Sequence, residues 1–258
     1  NYGCSTKRNT NDLTGGLGIG CKAGFAYGSQ FTITSISVDA DGKTMKRVYI
    51  ANIDEDNVGT LNMADEIESD EPTGIEIGVG VNVEDVEKFR QEAWNLYLTC
   101  TVKPNLIGMD EEDLDITTSL EDTEEGYRRY ESNYNFRQHC KYSTAVAVMG
   151  NIGYPIQAYH IGSMTSEHRE FLKDNTLFID FDIGELSIAS NREELEYNSQ
   201  TVNALKERTK KILESCVKEV TDQILVSKCL FDRQAAYSKL AGDMPYAVKQ
   251  IVNERLDS

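Results

Sequence analysis

The chain has 258 residues, 40% hydrophobic and 27% charged, a balance that excludes an intrinsically disordered polypeptide. Its net charge of −17 argues against a nucleic-acid-binding surface, because phosphates require clustered Lys and Arg. No apolar run approaches the roughly 18 residues that a membrane span needs.

Residues 1–14 are polar and rich in Asn and Thr, which predicts a loop or lid. The opening NYGCSTKRNT has no apolar core of a secretory signal, and its first residue is Asn, so a piece of a longer polypeptide is expected. TGGLGIGCKAGFAY, Thr14 to Tyr27, then puts four glycines into six residues, with a helix predicted from about Cys21. In FAYGSQFTITSISV, Phe31, Ile33 and Ser35 alternate with Thr32, Thr34 and Ile36, which predicts a strand. DADG, Asp39 to Gly42, is a turn signal and KTMKRVYIANI the returning strand, completing a hairpin.

TGIEIGVGV, Thr73 to Val81, places Ile75, Ile77, Val79 and Val81 on one face of a half-buried strand. VEDVEKFRQEAWNLYL follows as a helix, with Val83, Val86, Phe89, Ala93 and Leu96 at helical spacing. From Gly108 to Ser132 an acidic linker is expected, holding at most one short helix. A new globular piece begins near Phe136. There STAVAVMGNIGYPIQAYHI predicts two strands around a Gly-Asn turn, and TLFIDFDIGEL predicts a third. A long helix from about Ser199 carries Val202, Leu205, Ile212, Cys216, Val220 and Ile224 on one stripe. FDRQAAYSKL is a further helical segment, cut by Gly242 and Pro245. The class is α+β, in two pieces joined near residues 101–135.

Charge and reactive groups narrow the function. Between Asp54 and Glu125 there are 22 Asp and Glu against 3 Lys and Arg. That run predicts a solvated acidic face and linker; the other reading is a docking surface for a basic partner. Cys4, Cys21, Cys100, Cys140, Cys216 and Cys229 include no CxxC pair, as expected of reduced thiols in a cytosolic protein. His139, His160 and His168 lack HExxH spacing, so no metal site is expected from them.

GIGCKA, Gly18 to Ala23, satisfies GxGxx[GA], but the preceding TKRNTNDLT cannot be the buried strand that a dinucleotide fold requires. Nor is it a Walker A loop, because Lys22 stands between Cys21 and Ala23. A glycine-rich backbone leading into a helix remains. Its bare amides and dipole favour an anion, with Lys22 adding a charge, so phosphate binding is the expectation and a structural glycine turn the alternative.

GGLGIGCKAGFAYGSQFTITS resembles the lid and glycine box of the GHKL ATPases, the superfamily of gyrase, heat-shock chaperone, MutL and histidine kinase. Within it the likeness is to the RIIA-type rapid-lysis family of T-even-type phages, tied to lysis inhibition. The resemblance continues in EPTGIEIGVGVNVEDVEKF, in YPI and in IGELSIASNREELEYNSQTVNAL, across most of residues 11–210. It implies that residues 1–100 are the C-terminal half of a Bergerat-type α/β sandwich. Residues 101–135 would be an acidic linker, and residues 136–258 an S5-like, transducer-like domain.

It further implies that the amides of Gly15, Gly16, Gly18, Ile19, Gly20 and Cys21 hold the phosphates of ATP beside Lys22. Arg192, in ASNREEL, would reach the γ-phosphate as the catalytic residue; otherwise it is a surface Arg paired with Glu193 or Glu196. The family's ExxxN helix, with its water-activating Glu and magnesium-holding Asn, and its adenine-reading DxGxG segment would lie upstream of Asn1. Many members carry Thr after the strand glycine, where Gly74 is here followed by Ile75. ATPase activity is therefore expected of a parent protein that supplies Mg²⁺ binding, not of this chain alone. The alternative is a non-hydrolysing module acting on host factors through its acidic surface. The expected setting is the cytoplasm of a host cell, with room for a host or phage protein partner, an oligomer and peripheral membrane association.

Overall fold

The computed structural model describes residues 20–54, 56, 58–109, 116, 118–122, 126–189, 193–226, 229–242 and 244–256. It is a mixed α+β structure with two sheets, and the chain divides into two compact units between residues 87 and 88.

The described part of the first unit begins with a seven-residue 3-10 helix, Gly20–Ala26. Strands β1 (Gln30–Val38), β2 (Thr44–Ile53), β3 (Gly59–Glu68) and β4 (Gly74–Gly78) form an antiparallel sheet in the order β3-β2-β1-β4. The β1–β2 hairpin is closed by an Asx turn. Asp39 Oδ1 accepts from the amides of Asp41 and Lys43, both at 2.9 Å, and Gly42 takes φ of +81°.

Strand β3 is an addition to the sequence reading, which assigned no element to this acidic stretch of the 1–100 piece. GTLNMADEIE still alternates Leu61 and Met63 with polar residues, and acids are tolerated because β3 is an edge strand facing water. Lys43, Lys46 and Arg47 neutralise Glu68, Glu71 and Glu66 at 3.0, 2.7 and 2.6 Å. Strand β4 follows its alternation, but Ile75 and Ile77 are exposed rather than half-buried.

The second unit holds a mixed five-stranded sheet, β5-β6-β9-β7-β8. Its strands are β5 (Thr118–Asp122), β6 (Tyr127–Tyr130), β7 (Val146–Met149), β8 (Ile152–Pro155) and β9 (Leu177–Phe181). β7 and β9 are parallel and the other pairs antiparallel. β7 and β8 meet at the predicted Gly-Asn turn, where Gly150 and Asn151 have φ of +55° and +68°. β5 and β6 replace much of the expected linker. The charge that disguised them is partly internal, since Arg128 of β6 is buried on an acid.

Helices cover both faces of this sheet. Helix α1 (Val86–Thr99) brings Trp94 and Leu98 against Tyr130, Val146, Val148 and Phe178, with Phe136 of α2 (Tyr134–His139) beside them. α3 (Ser166–Phe171), α4 (Ser199–Leu225) and α6 (Tyr246–Leu256) line the other face, against Tyr127, Ala147, Met149, Leu177 and Ile179. α5 (Leu230–Leu240) contributes partly buried Tyr237 and Leu240. The α4 stripe is as expected, with Leu205, Ile212, Cys216 and Ile224 buried. Pro245 precedes a helix rather than ending one, a role suited to its fixed φ.

The stripe predicted for α1 is the wrong one. Val83, Val86, Phe89 and Leu96 are exposed, while Trp94, Asn95, Leu98 and Thr99 are buried. Two polar residues win burial through bonds that periodicity cannot count. Asn95 donates to His139 O and accepts from Lys141 N, both at 3.0 Å, and Thr99 donates to Asn151 O at 2.8 Å. The helix assigned by sequence to the 1–100 piece therefore packs into the second unit.

Candidate functional site

Of the residues expected to hold phosphate, Gly15, Gly16, Gly18 and Ile19 lie outside the described residues. Gly20 opens the 3-10 helix, with Cys21 and Lys22 in its first turn. Gly20 is exposed, and a Cβ built on it would meet nothing within 4 Å, so close packing does not demand glycine there. Lys22 is half-buried. The helix has 3-10 rather than α geometry and runs seven residues, which leaves it less aligned dipole than a longer α-helix would bring.

What fixes this segment lies just downstream. A Cβ on Gly24 would stand 2.5 Å from Phe31 Cδ1, so glycine is sterically required there. The close approach lets Phe25 meet Phe31 edge-to-face, with ring centroids 4.7 Å apart. Gly24 O also accepts from Gly28 N at 3.2 Å, ending the helix. Tyr27 then ties it to the segment after β4: its hydroxyl donates to Asp85 Oδ2 at 2.8 Å and accepts from Asn82 N at 2.9 Å. Gly24 and Tyr27 were not singled out by the sequence. The sequence signal for Gly24 was a fifth glycine next to an aromatic; Tyr27 gave none, since its partners are 55 and 58 residues away.

Arg192 also lies outside the described residues; the stems on either side, up to Ala189 and from Glu193, are described. Ile188 and Leu195 form an antiparallel bridge. Ala189 N donates to Glu194 O and Glu196 N to Ser187 O, both at 2.9 Å. The stems are anchored on the start of α4: Asn198 caps the helix by accepting from Thr201 N at 3.0 Å and donates to Ser187 Oγ at 2.7 Å. Thr201 Oγ1 accepts from Ser187 N at 2.9 Å, and Tyr197 Oη from Gln157 N at 2.7 Å. A buried Leu195 and this bonding fix the two flanking stems in the second unit.

A separate charged network was missed by sequence reasoning, because Arg128 stood in the presumed linker. Its guanidinium reaches Asp180 Oδ2 at 2.9 Å, Tyr130 Oη at 3.0 Å and Leu98 O at 3.1 Å. Burial pushes the Asp180 carboxyl above its ordinary range, against the pull of Arg128. Arg208 donates to Asp180 O and to Glu185 Oε1, at 3.0 and 3.1 Å. With its donors bonded to the unit's own oxygens, the network fastens α1 and α4 to the sheet.

Among the described residues, no group of three or more His, Cys, Asp or Glu could hold a metal ion. Among them, too, no helix is long and apolar enough to cross a membrane. Among the described residues, Cys100, Cys140, Cys216 and Cys229 are in no disulfide. Compared with protein-family models and with curated proteins, the chain matches none.

Proposed function

We propose that the chain is part of a GHKL-type ATP-binding protein of the phage RIIA kind. The amides of Gly15, Gly16, Gly18, Ile19, Gly20 and Cys21 would hold the ATP phosphates, with Lys22 beside them. Arg192 would reach the γ-phosphate on domain docking. On this reading residues 1–100 are half of a Bergerat-type sandwich and residues 136–258 an S5-like domain. Magnesium would be held by an Asn that is not in this sequence. The amides and Arg192 would stabilise charge on the transferred phosphoryl group, and the output would be a conformational switch.

The observation that carries the reading is local order. In chain order a glycine-rich run is followed by a helical turn that starts at the exposed Gly20, and then by an antiparallel sheet. Amides at such a turn favour an anion.

The test is a phosphorus-NMR titration of this chain with ATP, tripolyphosphate and adenosine. ATP should bind in about the millimolar range, because each missing charge-assisted hydrogen bond removes roughly 1.5–3 kcal/mol. Tripolyphosphate should compete, adenosine should not, and Gly18→Pro should abolish the effect. No phosphate perturbation, or competition by adenosine alone, would sink the reading.

A second reading, a non-hydrolysing module acting through its acidic surface, draws on the acid surplus. Residues 20–87 carry 14 Asp and Glu against 4 Lys and Arg.

A further inference from the structure

The β1–β2 turn holds a side chain and a backbone amide that can react with each other. Asp41–Gly42 is the single Asp-Gly pair of the chain, which has no Asn-Gly pair. At such a pair the glycine amide nitrogen can attack the aspartyl Cγ, because glycine has no Cβ to hinder the approach. The new N–Cγ bond closes a five-membered succinimide and expels a carboxyl oxygen as water. A second water then adds to the former main-chain carbonyl and breaks that carbon's bond to nitrogen. The product is isoaspartate, in which the chain runs through Cγ and the α-carboxylate is free. One water leaves and one enters, so the step needs no oxidant, reductant or cofactor.

Structure selects among the susceptible pairs. Asp41 and Gly42 are exposed at the hairpin tip, and a Cβ built on Gly42 would meet nothing within 4 Å. Among the described residues the Asp41 carboxylate has no hydrogen-bond or ion-pair partner. Asp39 is held instead, its Oδ1 accepting from the amides of Asp41 and Lys43. One bond restrains the attacking nitrogen, from Gly42 N to Asp39 O at 3.2 Å, the longest of the four that close this turn. An exposed tip of this kind opens locally at little cost. Asn198–Ser199 is the contrast, an Asn-Ser pair that could close the same ring with ammonia leaving. There Asn198 Oδ1 accepts from Thr201 N at 3.0 Å, Nδ2 donates to Ser187 Oγ at 2.7 Å, and Ser199 is the first residue of α4.

We propose that Asp41 is a site of spontaneous isoaspartate formation, and that conversion loosens the β1–β2 hairpin. With one more backbone carbon in the turn, Asp39 Oδ1 no longer reaches both amides, and β1 and β2 are the two central strands of the first sheet. The proposal stands apart from nucleotide binding and survives its failure.

The experiment incubates the full chain beside the free peptide Val38–Thr44, in neutral heavy-oxygen water at body temperature. Tryptic digestion and electron-transfer fragmentation then read the products. The fragment Ala23–Lys43 should take up heavy oxygen and give isoaspartyl ions at residue 41, at a rate within about tenfold of the free peptide. The Asp41→Glu chain, whose ring would need six members, should take up none in that time, and the fragment Glu193–Lys206 should stay unchanged. In the converted fraction the amides of the β1–β2 turn should exchange hydrogen faster than in the parent. Conversion more than about tenfold slower than in the free peptide would overturn the proposal, because the turn would then protect its own tip. Label at Asp39 in place of Asp41, equal conversion at Asn198, or unchanged hydrogen exchange would also overturn it.

Discussion

The two sheets of this chain are built from similar residues and buried to opposite degrees. In the second unit Val146, Ala147, Val148 and Met149 are all buried, because α1 and α2 cover one face and α3, α4 and α6 the other. In the first unit β1 and β2 each bury a single residue, Phe31 and Ala51. An unbroken apolar run such as VAVM belongs to a sheet covered on both sides, while FTI and IEIG alternate and ask for one cover. The difference teaches that strand pattern dictates how many faces want burial, not whether a cover is present. The first unit must lean on cross-strand pairs, each worth about 0.2–1 kcal/mol. The second has a contiguous core.

Matched truncations test that contrast most directly. Phe178 is fully buried, so Phe178→Ala should cost about 3–5 kcal/mol. Ile77→Ala, in a sheet whose corresponding face is open, should change stability by no more than about 0.5 kcal/mol. Trp94, the single Trp of the chain, is buried against the second sheet, so its fluorescence follows that unit in urea. Circular dichroism follows both. Comparable losses from the two truncations would mean that the first sheet is covered in solution.

The Arg128–Asp180 pair should produce a smaller but pH-dependent effect. Arg128→Met strands a carboxylate that is one-third exposed and leaves Leu98 O without its donor, for a loss of about 1–3 kcal/mol. Asp180 has the opposite sign from an ordinary salt-bridged acid. Its folded pKa is raised above the usual 3.8, so the folded state holds the proton longer than the unfolded one. The resulting stabilisation is present below the unfolded pKa and lost as pH rises through the folded one. Asp180→Asn should remove that decline in mildly acidic urea titrations. A stability gain with rising pH that vanishes in the variant would reverse the assignment.

Tyr142 makes the same point at the alkaline end. Burial pushes its hydroxyl up to about 12, so stability should fall as pH rises from 10 toward that value. Tyr142→Phe should lose this alkaline step, read by Trp94 fluorescence; an unchanged profile would place the titration elsewhere.

Much of the fold was legible where local chemistry decides it. The DADG turn, the Gly-Asn turn and the start of α4 at Ser199 each rest on backbone preferences that a few residues express. Strands β3, β5 and β6 were hidden because acids on a water-facing edge and a buried Arg look like linker when their partners are unknown. Tyr27 and Arg128 depend on partners 58 and 52 residues away, which no window along the chain reveals. The buried side of α1 was misjudged because Asn95 and Thr99 enter the core by bonding distant carbonyls. The glycine segment was found by composition, yet the glycine whose absence of Cβ is demanded by packing is Gly24, beyond the run that drew notice.

The smallest expected effect concerns the ion pairs of the first sheet. Arg47 and Glu66 face each other across β2 and β3, with their side chains 24% and 38% exposed. The geometry is good, at 2.6 Å, but water screens it and two flexible side chains must be held. A double-mutant cycle of Arg47→Ala and Glu66→Ala should give a coupling of roughly 0–1 kcal/mol that shrinks with added salt. Each single variant should still form the sheet, because the strand register also rests on the backbone ladder and on the Asp39 turn. A coupling above about 2 kcal/mol would place the pair in a dry setting, and would show that this face of the first sheet is covered after all.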